Sequence, residues 1–361
     1  MRHLHTCGAV AACIIAAPSM AQQSAMPALD HVFVIMMENH SYGQIIGNAA
    51  GARFLNRLAH EGNLARNYFA IGHPSLGNYL EVVGGSNFGV SNDETPNWHG
   101  TMADTLLVRP IAGSGTDHAT PAALTGATNG ADIPAGKYTA KTIGDQLTAA
   151  GKSWKTYQEG LPSAGFERVD YSDGTFSNLS KVPQVGVRHL YAVKHDPFAY
   201  FASVQEGKSP GTIAGFAGLD GLWADLRAGT VPAFAFIVPN QCRDMHGLPD
   251  AGLFCMTDSL LIITGDRAVE RIVGAIRASA AWKSGRSAIV VLWDENDFGA
   301  DPNRVAFIVA TNYGAQGRAS DVPYNHYSFL RTLQSAFGLP CLNHSCDANV
   351  RVMTDLFTRS P

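Results

Sequence analysis

The chain has 361 residues, 46% of them hydrophobic and 16% charged, with 26 Lys and Arg against 30 Asp and Glu. Such a composition excludes a disordered or fibrous chain and allows a large core. The slightly acidic balance offers no surface for a polyanion, which argues against a nucleic-acid partner.

The first element is a targeting segment. Arg2 precedes the short apolar run CGAVAACIIAAP, and Ser19-Met20-Ala21 is a small-residue cleavage pattern. Residues 1–21 therefore read as a signal peptide cleaved near Ala21, which places the mature chain in the periplasm or outside the cell. A lipoprotein signal ending at Cys13 is the rival, although the apolar stretch runs past it to Ala17. No later segment has the ~18 apolar residues that span a bilayer, so no membrane anchor is expected in the mature chain. Four cysteines lie beyond the signal, and Cys242–Cys255 with Cys341–Cys346 is the simplest disulfide pairing. Zinc is the competing use, but neither pair has C-x-x-C spacing.

HVFVIMM (31–37) is a continuous apolar run that predicts a buried strand. It is followed by polar ENHS and by ARFLNRLAHEG (52–62), which has helical spacing and a terminal glycine. HPSLGNYL (73–80) opens another helix. Residues 86–140 are rich in Gly, Thr, Asn, Asp and Pro and predict a loop-rich insertion that shapes or covers a substrate site. TIGDQLTAAGK (142–152) predicts a helix and SWKTYQE (153–159) a strand. A strand at 232–239, a helix at 268–282, strands at 287–293 and 304–311, and a helix at 326–338 complete the series. This alternation predicts an α/β three-layer sandwich, a largely parallel central sheet with helices on both faces, in one domain spanning 22–361.

In such sheets ligands sit beyond the carboxyl ends of the strands. Glu38, Asn39 and His40 follow the first strand, Asn240, Asp244 and His246 follow 232–239, and Asp294, Glu295 and Asp297 follow 287–293. Ser75 and His326 open helices, and His73 stands two residues before Ser75. Singly, each has an ordinary explanation: Ser75 a helix cap, Asp294 and Glu295 a solvated loop, His326 or His73 a packed or exposed ring. Together, Glu38, Asn39, Asp294, Glu295 and the Ser75 hydroxyl form a hard oxygen set suited to Mg, Ca or Mn and usable by Zn. A divalent ion there would turn a poor nucleophile into a competent one, and the helix start would offer N–H groups to an anion. This set points to phosphoryl transfer.

VIMMENHSYGQIIG, HPSLGNYL, AAGKSWKTYQEGLPS, YAVKHDPFAYF, IVPNQCRDMHG, VVLWDEND and YNHYSFLRTLQSAFGLP occur in order between about residues 31 and 340. Together they resemble the bacterial phosphoesterase family of acid phosphatases and C-type phospholipases, in the alkaline-phosphatase-like superfamily. The resemblance implies an alkaline-phosphatase-like fold, a metal held by Glu38, Asn39, Asp294 and Glu295, and Ser75 as nucleophile. It also implies Asn78 as a phosphate contact and His246 and His326 as rings lining the phosphate site. His73 and Asp244 share that rim and are expected to touch substrate. Gly77 departs from the family's usual proline, and Glu295 from an aspartate found in some relatives.

The expected activity is that of a secreted metal-dependent acid phosphatase working through a phosphoserine on small phosphate esters, phosphoinositides among the candidates. His246 or His326 would protonate the leaving group, and an imidazole of ordinary pKa favours an acidic optimum. A phospholipase C-type diesterase acting on a phospholipid head group is the alternative, disfavoured because the chain lacks that subgroup's extra C-terminal β-rich region. A sulfatase is excluded by the absence of a C/S-x-P-x-R context. A non-catalytic binding protein of the same fold would not need the full set of oxygens and imidazoles.

Overall fold

The computed structural model describes residues 26–88, 93, 102–103, 132–133, 140–160, 190–205, 216–217, 219–248, 251–298 and 302–358. The expected signal peptide and nearly all of the expected 86–140 insertion lie outside these residues.

The strands are β1 (His31–Met37), β2 (Asn63–Phe69), β3 (Trp154–Gln158), β4 (Phe216–Ala217), β5 (Phe234–Val238), β6 (Ser287–Trp293), β7 (Arg304–Thr311), β8 (Arg318–Ser320) and β9 (Tyr324–Asn325). They form one sheet in the order β8-β2-β7-β6-β1-β5-β3-β4, with β9 paired to the end of β2. Every described pairing in this sheet is parallel except those of β7, which runs against both β6 and β2. The reversal follows from chain length: the connection from β6 to β7 is only residues 294–303. A parallel return needs a crossover of a dozen or more residues.

The main helices are α1 (Arg53–Glu61), α2 (Ser75–Gly84), α3 (Ile143–Ala149), α4 (Leu219–Ala228), α5 (Asp258–Ala278) and α6 (His326–Phe337). α1 packs on α5 and against β2 and β7, and α4 joins α5. On the other face α2, α3 and α6 pack together, with α3 against β3. This is the expected α/β class, with helices on both sides of a mainly parallel sheet.

Burial on both faces explains the unbroken apolar runs. Val32 to Met37, Phe234 to Ile237 and Ala288 to Trp293 are sealed from solvent. β2 was not visible as a strand, because Asn63, Arg66 and Asn67 interrupt its apolar residues. α5 starts at Asp258, ten residues before the expected 268, and the β-branched run Ile262-Ile263-Thr264 masks its first turns. It stops at Ala278, and the Ser279 hydroxyl then caps a separate turn by accepting from Trp282 N–H. Both near cysteine pairs are bonded, Cys242–Cys255 and Cys341–Cys346.

The register positions the site. Met37 pairs with Trp293, so Glu38 and Asp294 leave the ladder side by side at the carboxyl edge, with β5 flanking β1 on its other side. Adjacent strands lie about 4.8 Å apart, so three central strands deliver their next residues into one small volume.

Candidate active site

Past β1, the chain turns sharply at Asn39, whose φ is 46°, a left-handed value that Asn tolerates better than most residues. Asn39 N–H donates to Asp294 Oδ1 at 3.2 Å, tying the β1 and β6 ends together. Ser75 is the first residue of α2, preceded by Pro74 at the cap position. Its hydroxyl makes no helix cap. Oγ lies 3.2 Å from Glu38 Oε2, 3.2 Å from Glu295 Oε1 and 3.5 Å from Asn39 Oδ1.

Glu38, Asp294 and Glu295 are fully buried. Burial raises all three carboxyls above their ordinary range, Asp294 to about 7. The Asp294 charge raises Glu38 and Glu295 further, whereas the Asn39 N–H works the other way on Asp294.

The cluster suits a cation. A hydroxyl has one proton, yet three oxygen acceptors crowd Ser75 Oγ, and Asp294 Oδ2 is buried with no hydrogen-bond partner among the described groups. Buried carboxylates so arranged are stable as anions only with a positive partner. The donors are all hard oxygens, as a divalent ion of the Mg, Ca, Mn or Zn type accepts. Next to them, Glu38, His195 and His246 offer ligand atoms within 4.8 Å of one another, a second group able to hold a metal.

His195 was not anticipated. It sits on a 3-10 turn, Val193–His195, between two carboxylates: Nε2 is 3.2 Å from Glu38 Oε1 and Nδ1 is 3.3 Å from Asp244 Oδ2. Tyr79 stacks on its ring at 5.3 Å and 7°, and the Tyr79 hydroxyl donates to Glu38 Oε1. Tyr79 lies one helical turn after Ser75, on the same face of α2, a spacing readable in HPSLGNYL. Lys194 and His195 follow the short apolar run 190–193, which forms no strand, so inspecting the ends of the strands could not find them.

The expected substrate contacts are placed differently. Asn78 is buried, its Oδ1 accepting from Ile71 and Gly72 N–H and its Nδ2 donating to Gly72 O and Glu295 Oε2. With both amide hydrogens engaged, it orients Glu295 and the 71–72 turn rather than facing an open phosphate position. Asp244 lies beside His195 and accepts from the His246 backbone N–H at 2.7 Å, so it fixes the turn that carries His246. His73 does reach the cluster, with Nδ1 2.9 Å from Glu295 Oε2 and its ring stacked on Phe298 at 3.9 Å.

The two expected proton donors differ in their settings. His246 Nδ1 lies 2.8 Å from the Gly247 carbonyl, which can only accept, so Nδ1 carries the proton and Nε2 faces the Lys194 ammonium at 3.1 Å. Lys194 also pairs with Asp93 at 2.8 Å. His326 Nε2 donates to the Asp294 carbonyl at 2.7 Å, and its Nδ1 accepts from Tyr68 OH at 2.9 Å. His326 is completely buried and has no proton left to give, so it positions Asp294 instead of protonating a leaving group. Burial holds both rings down at about 4. An acidic optimum therefore does not follow from an imidazole of ordinary pKa.

The depressed His326 ring has a measurable consequence. Between its unfolded value near ~6.5 and about 4, the unfolded chain binds a proton that the folded chain refuses, so stability drops as pH falls through that window. His326→Gln should flatten this part of the profile by about 2 kcal/mol between pH 7 and pH 5. Urea unfolding at both pH values checks it, and identical slopes for the two proteins would count against the assignment.

Comparison with known proteins agrees with this architecture. The profile of the Phosphoesterase family matches residues 50–340. A phosphate-repressible acid phosphatase of Penicillium chrysogenum is 28% identical over 90% of this chain and 63% of its own length. The chain thus spans less than two thirds of that relative. A phosphatidylinositol-3-phosphatase of Mycobacterium tuberculosis is also 28% identical, over 90% of this chain and 82% of its own. Among solved structures, the PsFucS1 sulfatase of Pseudoalteromonas sp. superposes with a TM-score of 0.50 at 11% identity, covering 92% of this chain and 72% of that one, a likeness of fold alone.

Proposed function

The chain belongs to the Phosphoesterase family, and from that membership and the oxygen cluster around Ser75 we propose a metal-dependent phosphomonoesterase of the acid phosphatase type. The carrying observation is the Ser75 hydroxyl, held 3.2 Å from both Glu38 and Glu295 and 3.5 Å from Asn39.

Glu38, Asn39, Asp294 and Glu295 would hold the ion, with Ser75 against it. A divalent cation there supplies charge neutralisation and makes the serine hydroxyl more acidic. Ser75 Oγ attacks phosphorus and yields its proton to Glu38 or Glu295, the two carboxylates in reach. The bond to the leaving oxygen breaks, giving a phosphoserine that water then hydrolyses. Asn78 steadies Glu295 by donating to Oε2, and the His73 ring packs beside the same oxygen. The Tyr79 hydroxyl holds Glu38, and the His195 ring lies between Glu38 and Asp244. Lys194 forms the cationic end of the site, with the neutral His246 ring accepting from its ammonium through Nε2. The Lys194 ammonium supplies the proton for the departing alkoxide, since His326 is committed to Asp294 and Tyr68 and the single His246 N–H to the Gly247 carbonyl.

The substrate class rests on the named activities of the two curated relatives, an acid phosphatase and a phosphatidylinositol-3-phosphatase. A small phosphate ester is the simplest substrate, and a phosphorylated inositol head group is a narrower version of it. A phospholipase C-type diesterase remains the second reading. With metal present, nitrophenyl phosphate should turn over at least ~100-fold faster than nitrophenyl phosphocholine, and the reverse preference would sink the monoesterase assignment. We also read the chain as exported after cleavage near Ala21, in keeping with its two disulfides. Among the described residues no helix is long and apolar enough to cross a membrane.

A further inference from the structure

Arg267 and Arg271 stand one helical turn apart on α5, with Ala268 and Ile272 on the adjacent stripe. These residues face Leu219 and Trp223 of α4 across a cavity of about 260 Å³, whose lining also includes Thr264, Glu159 after β3 and Arg243 after β5. None of the side chains clustered around Ser75 takes part. Three guanidinium groups and one carboxylate therefore share a small volume in a chain whose formal net charge is −4.

The single carboxylate is already engaged. Glu159 pairs with Arg243 through Oε1 and accepts from Asn240 N–H through Oε2 at 3.1 Å. Neither Arg267 nor Arg271 forms an ion pair with an acid among the described residues; the acid next to Arg271, Glu270, is paired with Arg57 at 2.9 Å. The Arg271 guanidinium lies over the Trp223 ring, 5.0 Å from its centroid, which fixes its plane and leaves its N–H edge for a ligand. Like charges gathered beside an indole are tolerated at a helix surface but gain free energy when an oxyanion joins them.

We propose that this cavity is a second anion site, which takes a phosphate group carried on a small organic body. The forked donors of Arg267 and Arg271 suit the oxygens of a phosphate. Trp223, Leu219 and Ile272 supply an apolar wall for the carbon part. The volume, just below the ~300–1,000 Å³ of drug-sized pockets, limits that part to about one ring. The site stands on geometry separate from the proposed phosphatase chemistry. It shares the sheet's carboxyl edge with the Ser75 cluster, since Arg243 directly precedes Asp244 in the chain.

Phenylphosphonate is a suitable probe, because its carbon–phosphorus bond is not an ester and it offers both halves of the expected ligand. Calorimetric titration of the full chain should show two sites. Arg267→Gln/Arg271→Gln should weaken the second by about 10- to 100-fold, the loss expected for charge-assisted hydrogen bonds. It should leave nitrophenyl phosphate turnover within about twofold and the thermal midpoint unchanged, as expected for exposed helical positions. Trp223→Phe, which keeps an aromatic floor, should retain the site with weaker binding and lose the fluorescence change on titration. Succinate should not compete.

Unchanged stoichiometry and affinity in the double variant would overturn the proposal, as would a single binding event in the wild type that the double variant retains. Equally tight succinate binding would overturn the phosphate assignment. Loss of all turnover with the second site intact would speak against the phosphatase reading and not against this one.

Discussion

Ser75→Ala is expected to lower kcat on a phosphate monoester by on the order of 10³- to 10⁶-fold, the range seen when a covalent nucleophile is removed. Nothing else described near the cluster can replace the hydroxyl: Tyr79 OH donates to Glu38, and Tyr68 OH is committed to His326. Rapid acid quenching with phosphate-labelled substrate should trap a phosphoenzyme in the wild type and none in the variant. A purely structural serine would give a different pattern. Its loss would shift the thermal midpoint and leave trapping intact in whatever protein remained folded. Full activity in Ser75→Ala would refute the nucleophile assignment.

Metal removal is expected to be nearly as severe. Chelation followed by gel filtration should cut turnover by at least ~100-fold, the several kcal/mol that charge neutralisation at phosphorus supplies. Restoring a divalent ion should return the activity. Stability should follow: an ion at 100 times its dissociation constant adds about 2.7 kcal/mol to the folded state. The pH dependence has a definite sign. Without metal, Asp294 is raised to about 7, so between its unfolded value near ~3.9 and about 7 the folded chain binds the extra proton. Metal-free stability from this group is therefore present at low pH and is lost as pH rises through about 7. Glu38 and Glu295 shift in the same direction. Metal needs the deprotonated carboxylates, so the gap between loaded and metal-free midpoints should widen from pH 5 to pH 8. Scanning calorimetry on both forms measures it, and a gap that narrows with rising pH would place the ion elsewhere.

The sequence carried the cluster further than it carried the residues around it. Glu38, Asn39, Asp294 and Glu295 were legible because they directly follow two apolar runs long enough to be buried on both faces. Parallel neighbours must end at the same edge, so those positions had to meet. Ser75 was legible from its place behind a proline at a helix start, although its hydroxyl turned out to face carboxylates and not the helix. His326 shows the limit of that reasoning. A histidine at the right rim can have both nitrogens consumed by a neighbouring carbonyl and a tyrosine 258 positions away, and no local pattern reports this. Lys194, His195 and Asp93 lie in irregular segments without periodicity, so only the fold brings them to His246 and Glu38. The reversed direction of β7 was readable in principle from the short 294–303 connection. The arginine pair of α5 is readable too, from spacing, but its partner Trp223 sits on another helix, and only the fold brings them together.

The central claim is a divalent ion held between the β1 and β6 carboxylates and the Ser75 hydroxyl. Crystals of the wild-type chain soaked in manganese, with data collected at the manganese absorption edge, test it most directly. The account predicts an anomalous peak bounded by Glu38, Asn39, Ser75, Asp294 and Glu295, absent when Glu295→Gln and Asp294→Asn are combined. A fully active protein whose anomalous map is empty at that position, or whose metal lies away from Ser75, would contradict it.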